Sequence, residues 1–276
     1  MARTYLPGAC EITYNHHPDP LILPSKTGPS RAFPELVKDL VPPCNLNPFL
    51  FNGHLQTSWT AMKFDGPPIH YKRRVFASDD SRFRGHFAVD FVTSPPPPAS
   101  SDKDSEGNVK DDEGLAEDPT GVGHTTLPPR TTYFSDSDFE ALGSDDEKPL
   151  LILLHGLSGG SYETYLRHVI APLVEPSAAG AKAGGLSGGE WEALVVNSRG
   201  CAGSKITTSI LYNARATWDV RQTVLWVKQR WPRRKIFGIG FSLGANILAN
   251  VCAAFHSSQK FGSQNNGCRD VLYVRN

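Results

Sequence analysis

The chain has 276 residues, 39% of them hydrophobic, with 28 basic and 28 acidic side chains and a formal net charge of zero. That length supports one sizeable core, and the balanced charge argues against the basic footprint of a nucleic-acid-binding surface. Five cysteines, an odd number without framework spacing, point to reduced thiols and a cytoplasmic setting rather than a disulfide scaffold.

Residues 1–46 are proline-rich and read as an irregular segment preceding a domain over 47–276. The start lacks a charged stretch followed by a long apolar run, so neither a signal peptide nor a membrane anchor is expected. The pair His16-His17 has no carboxylate or cysteine at ligand spacing, and no metal is expected there. From 47 to 93 the chain carries Asn-Gly-His-Leu-Gln-Thr-Ser-Trp, ending at Trp59. It then alternates over 70–76 and 85–92, which suits an antiparallel start to a sheet.

Residues 94–129 open with four prolines and continue through clustered acids. Low hydrophobicity with clustered charge cannot support a core, and this stretch reads as a disordered surface insertion. Order is expected to return over 131–142. The run Leu150 to Leu154 is a buried strand ending in His155-Gly156-Leu157-Ser158-Gly159-Gly160, a glycine-rich turn. A second flexible stretch over 176–189 is rich in alanine, glycine and serine.

Another apolar strand, Trp191 to Asn197, ends in Ser198-Arg199-Gly200-Cys201-Ala202-Gly203-Ser204. Over 214–230, Val220, Thr223, Val224 and Val227 share one face at helical spacing, and Pro232 stops the helix. The basic residues Arg230, Arg233, Arg234 and Lys235 read as a solvated corner at that helix end.

The most informative stretch follows. Ile236, Phe237 and Ile239 form a buried strand, then comes Gly240-Phe241-Ser242-Leu243-Gly244, then an apolar helix over 245–255. This is the strand, G-x-S-x-G turn and helix of a nucleophile elbow, in which flanking glycines let a strained turn expose a serine hydroxyl. Ser242 is the candidate nucleophile. In acyl transfer the tetrahedral intermediate carries an oxyanion, and backbone N–H groups aimed at it supply much of the rate. The Leu243 amide, after the nucleophile, and an amide of the His-Gly turn, Leu157, are the candidate donors. His155, at a strand end before glycine, reads as a packed loop residue rather than a base.

The order from Leu150 onward is strand, helix, strand, helix, strand, elbow, helix, which predicts an α/β fold with a mainly parallel sheet covered on both faces. A dinucleotide fingerprint is a weaker reading. Gly238, Gly240 and Gly244 depart from its spacing, and no acid stands at a clear strand end about 20 residues on. A phosphate-binding P-loop is excluded by the absence of its Gly-Lys signature, and no cofactor is expected.

The runs at Asn52 to Trp59, His155 to Arg167, Asn197 to Ser204 and Gly240 to Asn250 resemble, in order, those of the AB hydrolase superfamily, AB hydrolase 4 family. Its fungal members include medium-chain fatty acid ethyl ester synthase/esterases. The resemblance covers 48–250 apart from the acidic insertion. It implies an α/β-hydrolase fold and serine esterase or lipase chemistry on medium-chain acyl esters, with acyl transfer to an alcohol as a further activity. The implied partners are a small acyl ester or alcohol, with no nucleic acid and no transmembrane segment. Peripheral contact with lipid droplets or membranes is left open, as is oligomeric state.

One departure stands out. A hydrolase triad runs Ser, then Asp or Glu, then His along the chain, yet after Ser242 the one histidine is His256 and the one acid is Asp270, in the reverse order. A last strand is expected over 270–274. The expectation is a C-terminally truncated chain whose triad acid and base are absent and whose activity is weakened, or a non-catalytic relative that binds a lipid or a partner.

Overall fold

The computed structural model describes residues 15–25, 28–41, 48–62, 66–95, 127–175, 186, 189–260 and 271–275. The side chains of 61, 256–260 and 271–275 are outside that description. Most of the acidic insertion, most of the 176–189 stretch and Asp270 lie outside the described residues, as does the His256 side chain.

The chain divides into two units, Met1–Phe64 and Asp65–Asn276. In the first, β1 (Ile22–Leu23) pairs antiparallel with β2 (Arg31–Ala32), and α1 (Phe33–Leu40) follows directly. The segment expected to be irregular therefore holds a helix. Its proline falls in the first helical turn, where a missing N–H costs nothing and the fixed φ suits helix entry. The Asn-Gly-His motif is also helical: α2 (Gly53–Met62) starts after Asn52, whose Oδ1 caps it by accepting the Leu55 N–H at 2.9 Å.

The second unit is built on one seven-stranded sheet in the order β5-β3-β4-β7-β6-β8-β9. Its strands are β3 (His70–Ala77), β4 (His86–Thr93), β5 (Thr131–Tyr133), β6 (Leu150–Leu154), β7 (Glu192–Asn197), β8 (Ile236–Gly240) and β9 (Val271–Arg275). β4 runs antiparallel to both neighbours, β3 and β7, and every other adjacent pair is parallel. Helices α3 (Asp136–Glu140), α4 (Thr164–Val174) and α5 (Trp218–Arg230) lie in the connections between successive strands from β5 to β8, and α6 (Leu243–Lys260) leaves β8.

Period-two alternation along the buried strands sorts the core into two layers. On one face Leu150, Ile152 and Leu154 of β6 meet Val220, Val224 and Val227 of α5 and Ile247, Leu248 and Val251 of α6. On the other, Leu151 and Leu153 meet Leu166, Ile170 and Val174 of α4. Truncating one of these fully buried leucines to alanine costs about 2–5 kcal/mol. The predicted apolar face of α5 is the buried one, although the helix begins at Trp218, four residues after the sequence reading began it.

The basic corner after α5 is only partly solvated. Arg234 is 1% exposed, and its Nε and Nη2 donate to Asp146 Oδ1 and Oδ2, each at 2.7 Å. A planar guanidinium that grips one carboxylate with two parallel bonds can leave water at acceptable cost. The sequence reading lacked that partner, 88 residues upstream.

Candidate active site

β8 and β6 are adjacent parallel strands, so their carboxyl ends deliver the elbow and the His-Gly turn to one place. Such crevices at strand ends are where α/β sheets bind ligands. Ser242 follows β8 after Phe241, is exposed, and has φ 51°, a left-handed conformation that a side chain adopts at a cost of about 1–3 kcal/mol. The turn is held by Phe241 N–H donating to Leu154 O at 3.0 Å and by Gly244 N–H donating to Phe241 O at 2.8 Å.

Both elbow glycines are dictated by close approach. A Cβ on Gly240 would stand 2.5 Å from the Ala245 nitrogen, and one on Gly244 would stand 2.5 Å from the carbonyl oxygens of Leu154 and His155. No side chain fits at either position. The same tightness packs the start of α6 against the end of β6.

The His-Gly turn lies alongside. A Cβ placed on Gly156 would be 3.5 Å from the Ser242 Cβ. Within the turn, Gly156 N–H donates to Tyr165 Oη at 3.0 Å, Gly159 N–H to Gly156 O at 3.2 Å and Ser158 N–H to Tyr212 Oη at 3.2 Å. The amides of Leu157 and Leu243 have no acceptor among the described residues. Leu157 and Leu243 line one cavity of about 640 Å³, whose walls include Tyr162, Cys201, Ile206 and Leu211. The structure thus brings together Ser242, Leu243, Leu157, Gly240 and Gly244.

Comparison with known proteins bears on the fold. Residues 149–263 match the family described as alpha/beta hydrolase fold. The chain has the α/β hydrolase fold. This hydrolase-fold chain is 35% identical over 227 residues to a monoacylglycerol lipase of Saccharomyces cerevisiae, an overlap covering 79% of this chain and 45% of that protein. It is 34% identical over 220 residues to medium-chain fatty acid ethyl ester synthase/esterase 2 of the same yeast, covering 74% and 43%. Against embryogenesis-associated protein EMB8 of Picea glauca it is 42% identical over 100 residues, covering 36% and 19%. The chain spans less than half the length of these relatives.

In this hydrolase fold His155 is a strut. It is 3% exposed, its Nδ1 lies 2.6 Å from Gly156 O, and its Nε2 accepts the Ser198 N–H at 3.0 Å. Accepting at Nε2 requires the proton on Nδ1, which then donates to the Gly156 carbonyl. Burial pushes the imidazole below the usual histidine range, which favours this neutral form. With both nitrogens engaged, His155 has none to offer Ser242. Among the described residues, no histidine or carboxylate hydrogen-bonds to the Ser242 hydroxyl.

Sequence reasoning missed the polar centre behind the site. Arg73 and Asp90 stand opposite one another on β3 and β4, both fully buried, and form a two-bonded ion pair at 2.6 and 2.7 Å. The legible signal was Asp90 itself, a charge in the otherwise apolar run Phe87 to Val92. No helix among the described residues is long and apolar enough to cross a membrane.

Proposed function

We propose that the protein is a serine carboxylic ester hydrolase, with Ser242 as nucleophile and the Leu157 and Leu243 amides as oxyanion donors. The observation that carries the reading is the strained φ of Ser242 at a strand-to-helix turn packed against the His-Gly turn. Backbone strain of this kind persists where surrounding structure enforces it, and exposing a nucleophile is what it accomplishes here. The names of the yeast relatives, a lipase and an ester synthase/esterase, point to the same chemistry and to medium-chain acyl esters.

In this mechanism Ser242 Oγ attacks the ester carbonyl carbon as its proton passes to a base that the described residues do not supply. The carbonyl oxygen becomes an oxyanion between the two amides, and the amino-terminal end of α6 adds favourable partial charge. Collapse expels the alcohol, which takes up a proton, and leaves an acyl-enzyme on Ser242. Water then releases the acid, or a second alcohol takes the acyl group and yields a new ester. The apolar walls of the cavity, Leu157, Ile206 and Leu211, suit an acyl chain.

A second reading, a relative that binds esters or lipids without turning them over, is favoured by one observation: no base reaches Ser242 among the described residues. Hydrolysis of p-nitrophenyl octanoate and labelling by a fluorophosphonate decide between the two. Turnover and labelling that both vanish in Ser242→Ala support the esterase. Binding of the ester without turnover or labelling supports the second reading.

A further inference from the structure

One buried carboxylate ties together the two turns that wall the cavity beside Ser242. Asp90 receives two bonds from Arg73, and its Oδ2 also accepts the Ser161 hydroxyl at 2.5 Å and Asn197 Nδ2 at 2.8 Å. Four donors converge on the carboxylate, three of them on Oδ2. Arg73 turns its remaining nitrogen, Nη1, to the Ala202 carbonyl at 2.7 Å. Ser161 has all three of its polar groups held: its hydroxyl by Asp90, its N–H by Asn197 Oδ1 at 3.0 Å, and its carbonyl by Tyr71 Oη at 2.9 Å.

Stability alone does not account for this arrangement. Desolvating an ion pair offsets most of its attraction, and an apolar pair of equal volume would join β3 to β4 at least as well. An apolar pair could not grip a hydroxyl and a carbonyl at fixed angles. The groups gripped belong to two separate turns, Ser161 to the turn after β6 and Ala202 to the turn after β7. Each turn contains a non-glycine residue in the left-handed region, Ser158 at φ 57° and Ala202 at φ 51°. Such conformations need anchoring by their surroundings. Leu157 and Ser158 stand in the first turn and Cys201 and Ala202 in the second, and all four line the same cavity.

We propose that Asp90 is a positioning residue for the reaction at Ser242. Through Ser161 it fixes the turn carrying the Leu157 amide, and through Arg73 it fixes Ala202 in the cavity wall. This inference rests on the reading of Ser242 as nucleophile. An oxyanion donor displaced by a fraction of an ångström loses far more against a tetrahedral adduct than against a planar ground state.

The test uses the full chain and two probes. Octylboronic acid forms a tetrahedral adduct on a serine, with an oxygen directed at the oxyanion donors, and 1-octanol occupies the cavity without one. Ser161→Ala keeps the Arg73–Asp90 pair and removes one bond to the turn. Asp90→Asn weakens the whole node, and should it fail to fold, Ser161→Ala carries the test alone. Ser161→Ala is expected to weaken the boronic acid by about tenfold or more while octanol affinity changes by less than about twofold. Unchanged boronate affinity, or an equal loss for octanol, overturns the positioning role. If the parent fails to bind the boronic acid, or Ser242→Ala binds it as tightly as the parent, the reading of Ser242 itself falls, and this inference falls with it.

Discussion

Gly156 and Ser242 face one another so closely that a methyl group on the first would rest 3.5 Å from the Cβ of the second. That separation is ordinary van der Waals contact, so Gly156→Ala is expected to fold. The new methyl would then occupy space that a tetrahedral adduct needs. Fluorophosphonate labelling should slow by about tenfold or more while the melting temperature stays within a few degrees of the parent. Gly244→Ala should behave in the opposite way. Its methyl would meet two carbonyl oxygens at 2.5 Å, and overpacking against backbone should cost about 3 kcal/mol. Urea unfolding of the two variants, side by side with labelling rates, checks both expectations.

The strain at Ser242 makes a second prediction. Glycine adopts φ 51° without a side-chain clash, so Ser242→Gly should raise stability by about 1 kcal/mol after the extra chain entropy of glycine is deducted. The same variant should lose all reaction with a fluorophosphonate. A urea midpoint at or below that of the parent would show that the turn holds no strain worth relieving. This trade of stability for reactivity is common at active sites.

Much of the layout was legible before coordinates. Leu150 to Leu154 and Ile236 to Gly240 are short apolar runs ending in glycine-rich turns, and a parallel sheet buries such runs on both faces. Local sequence also carried the elbow, because Gly240 and Gly244 are fixed by contacts within a few residues of Ser242 or with one adjacent strand end. What escaped depends on long-range pairing. Arg73 and Asp90 meet across a hairpin, and Asp90 then reaches Ser161, 71 residues on, and Asn197, 107 residues on. Nothing in the local pattern of either turn announces those partners. The helix over Phe33–Leu40 escaped for a different reason: the proline-rich run was read as irregular, whereas Pro34 sits in the first turn, where proline suits a helix start.

Asp146 and Arg234 supply a third prediction. The Arg234 guanidinium, bonded through two nitrogens, holds the Asp146 carboxyl well below the usual carboxylate range, and the arginine side chain is 1% exposed against 42% for the aspartate. Removing the exposed partner leaves the buried charge unpaired. Asp146→Ala should therefore destabilise by about 2 kcal/mol, less than for a wholly buried pair because water reaches the aspartate side. Because the folded carboxyl is depressed, its contribution is present above the unfolded value near 4 and fades as pH falls below it. Urea midpoints of parent and Asp146→Ala should differ most at pH 7 and converge toward pH 2. A constant gap would mean that lost packing, not charge, sets the cost.

His155 gives the corresponding prediction on the other side of the pH scale. Its folded form is neutral, with Nδ1 donating to Gly156 O and Nε2 accepting from Ser198 N–H. Burial holds its folded pKa below the ordinary value of 6.5. The unfolded chain therefore takes up a proton first as pH falls. Stability is full above about 6.5 and declines below it, until the folded imidazole protonates as well. Protonation at Nε2 would set two N–H groups against each other at Ser198 and release the turn that carries Leu157. Between pH 8 and pH 5 the parent should lose urea resistance, and its labelling at Ser242 should slow over the same range. His155→Gln, which has no proton to gain, should be less stable at pH 8 but nearly flat across this window. If the variant declines with the slope of the parent, the titrating group lies elsewhere and His155 is not the strut described.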